Sequence, residues 1–79
     1  MDFLVRFLDE KGSVIGFAVW EGESAEEIAD VLDDIAAFLE RHQWAAVMTT
    51  FPKEPDERCD SLVRTTSVHS VHVKPWGSV

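Results

Sequence analysis

The side chains best suited to hold a metal or move a proton are His42, Cys59, His69 and His72. Their spacing argues against both uses. His69 and His72 stand three apart in a run rich in Val, Thr and Ser, and on a strand such residues project to opposite faces unless a bulge intervenes. A structural zinc would also need a second close-spaced ligand pair, which this sequence does not supply. Cys59 with a histidine would make a nucleophile and base, but its acidic neighbours Glu57 and Asp60 blunt the reactivity of a thiolate. Gly12 and Gly16 are followed by no Lys-Ser/Thr and make no phosphate loop. Carboxylates are plentiful, and a general acid/base pair among them would need an enclosing pocket to tune one member. The expectation is a chain without catalytic residues, metal or cofactor.

The carboxylates are unevenly placed. Between Glu21 and Glu40 there are eight (Glu21, Glu23, Glu26, Glu27, Asp30, Asp33, Asp34 and Glu40) and no Lys or Arg. Elsewhere seven acids balance seven bases, so the net charge of −8 belongs to this one stretch. The stretch predicts a helix. Ser24 and Glu27 have the spacing of a capping box, and acids suit the first turn. At 100° per residue from Ile28, the residues Val31, Leu32, Ile35, Ala36, Phe38 and Leu39 fall within about 80° of it and form the apolar stripe. Glu26, Asp30, Asp33, Asp34 and Glu40 take the opposite arc, with Glu27 at its edge, along roughly 21 Å of axis. Arg41 and His42 suit the C-terminal end of the dipole.

A charged outer face is what any amphipathic helix presents to water. This one also carries three aspartates in mid-helix, where glutamate is the better former. No base sits at i+4, although each such pair stabilises a helix by about 0.2–0.5 kcal/mol. Stability given up on an exposed face points to a binding surface, formed by Glu23, Glu26, Glu27, Asp30, Asp33, Asp34 and Glu40.

Around the helix, Phe3 to Leu8 alternates as a strand, and Asp9 to Ser13 is turn chemistry. Val14 to Trp20 reads as a second strand, antiparallel to the first. The alternation predicts Ile15, Phe17 and Val19 beside Phe3, Val5 and Phe7 beneath the helix. Leu4, Leu8, Val14, Ala18 and Trp20 then form a second apolar face, to be covered by the C-terminal segment or by another chain. Trp44 to Phe51 predicts a third strand, and Pro52 and Pro55 open a mobile charged loop to about Asp60. Leu62 to Lys74 predicts one long strand or two short ones broken near Ser67, stopped by Pro75 and Gly77. Trp76 either packs on the second face or stays free as an anchor. The predicted fold class is α+β: a two-layer ββαββ domain over residues 1–79, with one amphipathic helix packed on an antiparallel sheet.

Composition bounds the function. At 79 residues the chain is marginally stable alone and gains from association, which leaves a homodimer through Leu4, Leu8, Trp20 and Trp76 open. A single cysteine fits a reducing cytoplasm, no apolar run approaches the roughly 20 residues of a membrane span, and no signal peptide is expected. A pI near 4.6 disfavours direct contact with nucleic acid or anionic membrane and favours a basic protein partner.

The motif Asp9-Glu10-Lys11-Gly12, followed by Gly22-Glu23-Ser24-Ala25-Glu26-Glu27 leading into a helix, resembles the first half of HicB-type antitoxins. That resemblance implies binding and neutralising a ribonuclease toxin. In size and charge the chain is also similar to phage anti-CRISPR proteins, several of which present acidic surfaces to a nucleic-acid channel. The leading expectation is a non-enzymatic inhibitor whose acidic helix mimics nucleic acid at a basic, nucleic-acid-handling partner. The alternatives are a HicB-like antitoxin, a self-associating module using the apolar sheet face, and a small enzyme with His69 or His72 beside a carboxylate.

Overall fold

The computed structural model describes residues 1–54 and 56–76, so Pro55 and Gly77 lie outside the described residues. Strands β1 (Asp2–Leu8) and β2 (Val14–Glu21) are followed by a 3₁₀ turn (Ala25–Glu27) and helix α1 (Ile28–Arg41). Strands β3 (Trp44–Val47), β4 (Ser61–Arg64) and β5 (Ser70–Trp76) complete the chain. The fold is α+β with antiparallel pairing throughout, in the orders β2-β1-β5 and β3-β4. The break foreseen near Ser67 is a 3₁₀ turn, Thr65–Ser67, which divides the last segment into β4 and β5. The element order is therefore ββαβββ.

The β1–β2 hairpin keeps Val14 opposite Leu8 and Ile15 against the core as expected, and differs from expectation from Gly16 onward. Its turn is tied by Asp9, whose N–H donates to the Ser13 carbonyl and whose Oδ1 accepts the Lys11 and Ser13 N–H groups. Gly12, at φ 85°, supplies the left-handed residue that the turn needs. That register opposes Leu8 to Val14 and, continued, would place Ile15, Phe17 and Val19 beneath the helix. Instead the pairing shifts, and Phe7 opposes Gly16, Val5 opposes Ala18 and Phe3 opposes Trp20. Ile15 is the extra residue. One inserted residue transfers the rest of the strand to the other face. Trp20 and Ala18 thus lie on the helix side, with Trp20 meeting Phe38 edge-on at 5.9 Å, while Phe17 and Val19 lie with Leu4 and Leu8.

The core on the helix side comprises Phe3, Val5, Phe7, Ala18, Val31, Ile35, Ala45 and Val47, bordered by Val63, Val71 and Val73. The shifted register also sets Gly16 against β3: a Cβ there would stand 2.5 Å from a Val47 methyl. Strand β3 leaves the sheet after Val47, earlier than the expected Phe51. Met48 still exchanges both backbone hydrogen bonds with Phe17, at 2.7 and 2.8 Å, and so joins the two sheets at one bridge.

The second face is covered from within the chain. Phe51 meets Phe17 edge-on at 5.5 Å and Trp76 at 6.3 Å, with the Arg6 and Lys74 cations 5.9 and 6.0 Å from its ring. By the strand registers these four side chains ring Leu4, which is fully buried. Trp76 therefore packs. Part of the cover is Phe51, expected as the end of the third strand and still 48% exposed, followed by the buried Pro52, where the charged loop was expected to open. Leu4 and Leu8 are buried, so they are closed to a second chain, and Trp20 lies on the opposite side of the sheet from them.

Candidate functional site

Helix α1 buries Val31 and Ile35 most deeply, with Phe38, Leu39 and Ile28 at their sides. The stripe centre lies nearer Val31 than expected. Leu32, assigned from periodicity to the core, is 41% exposed, and Ala36 is exposed beside it. Asp30, Asp33, Asp34 and Glu40 are all exposed and occupy an arc of about 120° at 100° per residue. Along the ten steps from Asp30 to Glu40, about 15 Å of axis, Asp30, Asp33 and Asp34 fall within about 6 Å and Glu40 stands about 9 Å farther on. The phosphates of one DNA strand are spaced about 3.4 Å along the duplex axis.

The N-terminal end is built differently from the predicted capping box. Ser24 makes no side-chain cap bond, and its carbonyl instead accepts the Glu27 N–H at 3.1 Å. The Glu27 carboxylate accepts the Glu23 N–H at 2.9 Å and is half-buried. Glu27 therefore ties down the chain entering the helix, one residue earlier than a capping box would. Glu23 and Glu26 remain exposed and extend the acidic face beyond the helix proper. At the other end the His42 N–H caps the Phe38 carbonyl, and the His42 ring stacks on Phe38 at 4.2 Å. Thr65, the buried polar side chain of the described residues, donates its hydroxyl to the His42 carbonyl at 2.6 Å.

The residues considered for metal or nucleophilic chemistry are dispersed. His42 ends α1, His72 lies on β5 opposite Arg6, and His69 precedes β5. Cys59 is exposed in the segment before β4. Among the described residues no three His, Cys, Asp or Glu side chains form a group able to hold a metal ion. His69 lines an open depression of about 360 Å³ with Asp9, Glu10, Lys11 and Thr66–Val68. The Asp9 carboxylate there is already occupied by the turn it ties. Cys59 borders a second open cleft of about 370 Å³ with Asp2, Glu21, Asp56, Glu57, Val19 and Met48.

Periodicity gave no sign of a further exposed patch on the outer side of the β3–β4 hairpin. Leu62 is 62% and Trp44 47% exposed, and the Arg64 guanidinium lies 4.6 Å over the Trp44 ring. The alternating exposure of both strands marks this side as outward, with Ala45, Val47 and Val63 turned to the core. Among the described residues no helix is long and apolar enough to cross a membrane. No protein-family model matches the chain, and neither a curated protein nor a solved structure matches it.

Proposed function

We propose that the chain is a non-enzymatic inhibitor or binding protein that works in the cytoplasm, a phage's host cytoplasm included, by occluding a basic, nucleic-acid-binding surface of a partner protein. The observation that carries this reading is the exposure of the carboxylates of Asp30, Asp33, Asp34 and Glu40 together on one helix face. Asp30, Asp33 and Asp34 cluster within about 6 Å of axis and Glu40 follows about 9 Å on, which offers lysines and arginines a set of anionic acceptors such as a phosphate backbone also presents. Glu23 and Glu26 lengthen the row, and Glu27 supports it by fixing the approach to the helix. Association through such a row is fast and weakened by salt.

The test is retention of a basic nucleic-acid-binding protein from cell lysate by the immobilised chain, with competing duplex DNA or RNA and with the triple variant D30K/D33K/D34K. These three side chains are exposed, so the variant keeps the core. Retention at low salt, release by competing nucleic acid and loss in the variant are the expected results. Retention that survives charge reversal overturns the reading.

A further inference from the structure

Among the described residues the sheets β2-β1-β5 and β3-β4 meet only at the Phe17–Met48 bridge, so the edges away from that bridge are β5 and β4, and they are finished differently. β5 carries Lys74 and Pro75, both of which hinder the addition of another strand. β4 has no proline or lysine, and its Arg64 is folded back over Trp44. The Thr65 N–H bonds the Gln43 carbonyl at 3.0 Å, which fixes the alternation of the β3–β4 ladder. Val63 therefore turns its backbone groups to β3, while Leu62 and Arg64 turn theirs away. Among the described residues no hydrogen bond outside the strand ladders reaches those outward groups.

Leu62 has the greatest exposure of the large hydrophobic residues that the structure describes, at 62%. In sequence it stands midway between Asp60 and Arg64. An antiparallel copy centred on Leu62 brings Leu62 against Leu62 and each Arg64 near the other copy's Asp60, which lies one residue before β4 with its N–H donated to the Val47 carbonyl at 3.0 Å. The carboxylate of Asp60 is held in place by the Thr49 N–H and hydroxyl at 3.0 and 3.1 Å, and its oxygens keep lone pairs free for a guanidinium. From Arg58 to Arg64 the chain carries two bases and one acid, so this edge does not share the surplus negative charge of α1.

We infer that β4 is a self-pairing edge, through which two copies of the chain join antiparallel about a two-fold axis at Leu62. The pairing goes beyond the inhibitor reading and leaves the acidic face of α1 out of the contact. It also replaces the dimer surface expected from sequence, since Leu4 and Leu8 are buried.

The experiment is sedimentation of the full chain over a concentration series near physiological salt, for wild type, L62P and R64D. Proline at position 62 removes an N–H that faces away from β3 and so spares the β3–β4 ladder. Aspartate at 64 sets like charges opposite Asp60 and covers the case in which L62P fails to fold. In parallel, C59S/L62C is oxidised, because a pair opposed at about 5.5 Å between Cα atoms falls within disulfide range. A wild-type dimer that both folded variants shift to monomer, and that is covalently trapped through position 62, is the expected result. A monomer at every concentration, a dimer indifferent to both variants, or no cross-link through position 62 overturns the proposal.

Discussion

Gly16 shows how far one residue reaches in this fold. It lies on β2 opposite Phe7, and the methyl groups of Val47 occupy the space that its side chain would take. Its backbone conformation is not the constraint; the close approach of β3 is. Gly16→Ala is expected to destabilise the fold by about 1–3 kcal/mol through overpacking, and Val47→Ala in the same chain to recover part of that loss. Urea unfolding of the two single variants and the double variant checks it: additive losses would mean that the two side chains do not compete for one space. The residue scale is also where sequence reading succeeded least. Nothing in Val14–Glu21 announces that Ile15 is the inserted residue, because the bulge is chosen by what Gly16, Ala18 and Trp20 meet across the core.

At the scale of the element, α1 is amphipathic as expected and is rotated slightly from the predicted orientation. The base in its acidic arc is Arg41 in the last turn, none stands three or four residues after Asp30, Asp33 or Asp34, and Ala37 falls within that arc, four residues after Asp33 and three after Asp34. Ala37→Lys is therefore expected to stabilise the helix by about 0.2–0.5 kcal/mol, offset in part by the loss of alanine's propensity. The same change places a cation in the row of carboxylates and weakens retention of a basic partner. Thermal melting and the retention assay, run on one preparation, separate the effects: tighter retention by the Ala37→Lys variant would argue against the acidic row as the contact. The acidic residues, their periodicity and the helix itself were legible in the sequence. The exposure of Leu32 was not, because a 100° step locates a stripe and not its centre against a particular sheet.

For the whole molecule, a net charge of −8 that comes from the stretch Glu21 to Glu40, four of whose carboxylates lie on α1, predicts opposite responses of folding and binding to salt. Screening relieves repulsion among the helix acids. Raising potassium chloride from about 20 to 300 mM shortens the Debye length from roughly 20 Å to about 6 Å and is expected to raise the melting temperature by a few degrees. The same change releases a basic partner held by the acidic face. A melting temperature that falls with salt would show that attractive ion pairs dominate the folded state. At this scale the segment around Phe51 and Pro52 matters most, because it covers Leu4 and makes the three-stranded sheet a two-sided core element.

The sequence by itself determined the α+β class, the position and polarity of the helix and the concentration of charge, and left open whether the last segment breaks near Ser67. Each of these is written in local patterns of composition and period that do not depend on distant residues. Only the tertiary structure decided which face of β2 is buried, what covers Leu4, and how the strands divide between two sheets. Those outcomes depend on side chains remote in sequence competing for the same space: Val47 against Gly16, Phe51 against Phe17 and Trp76, and Trp20 against Phe38. Alternation along a strand specifies two faces, and the choice between them belongs to the packing.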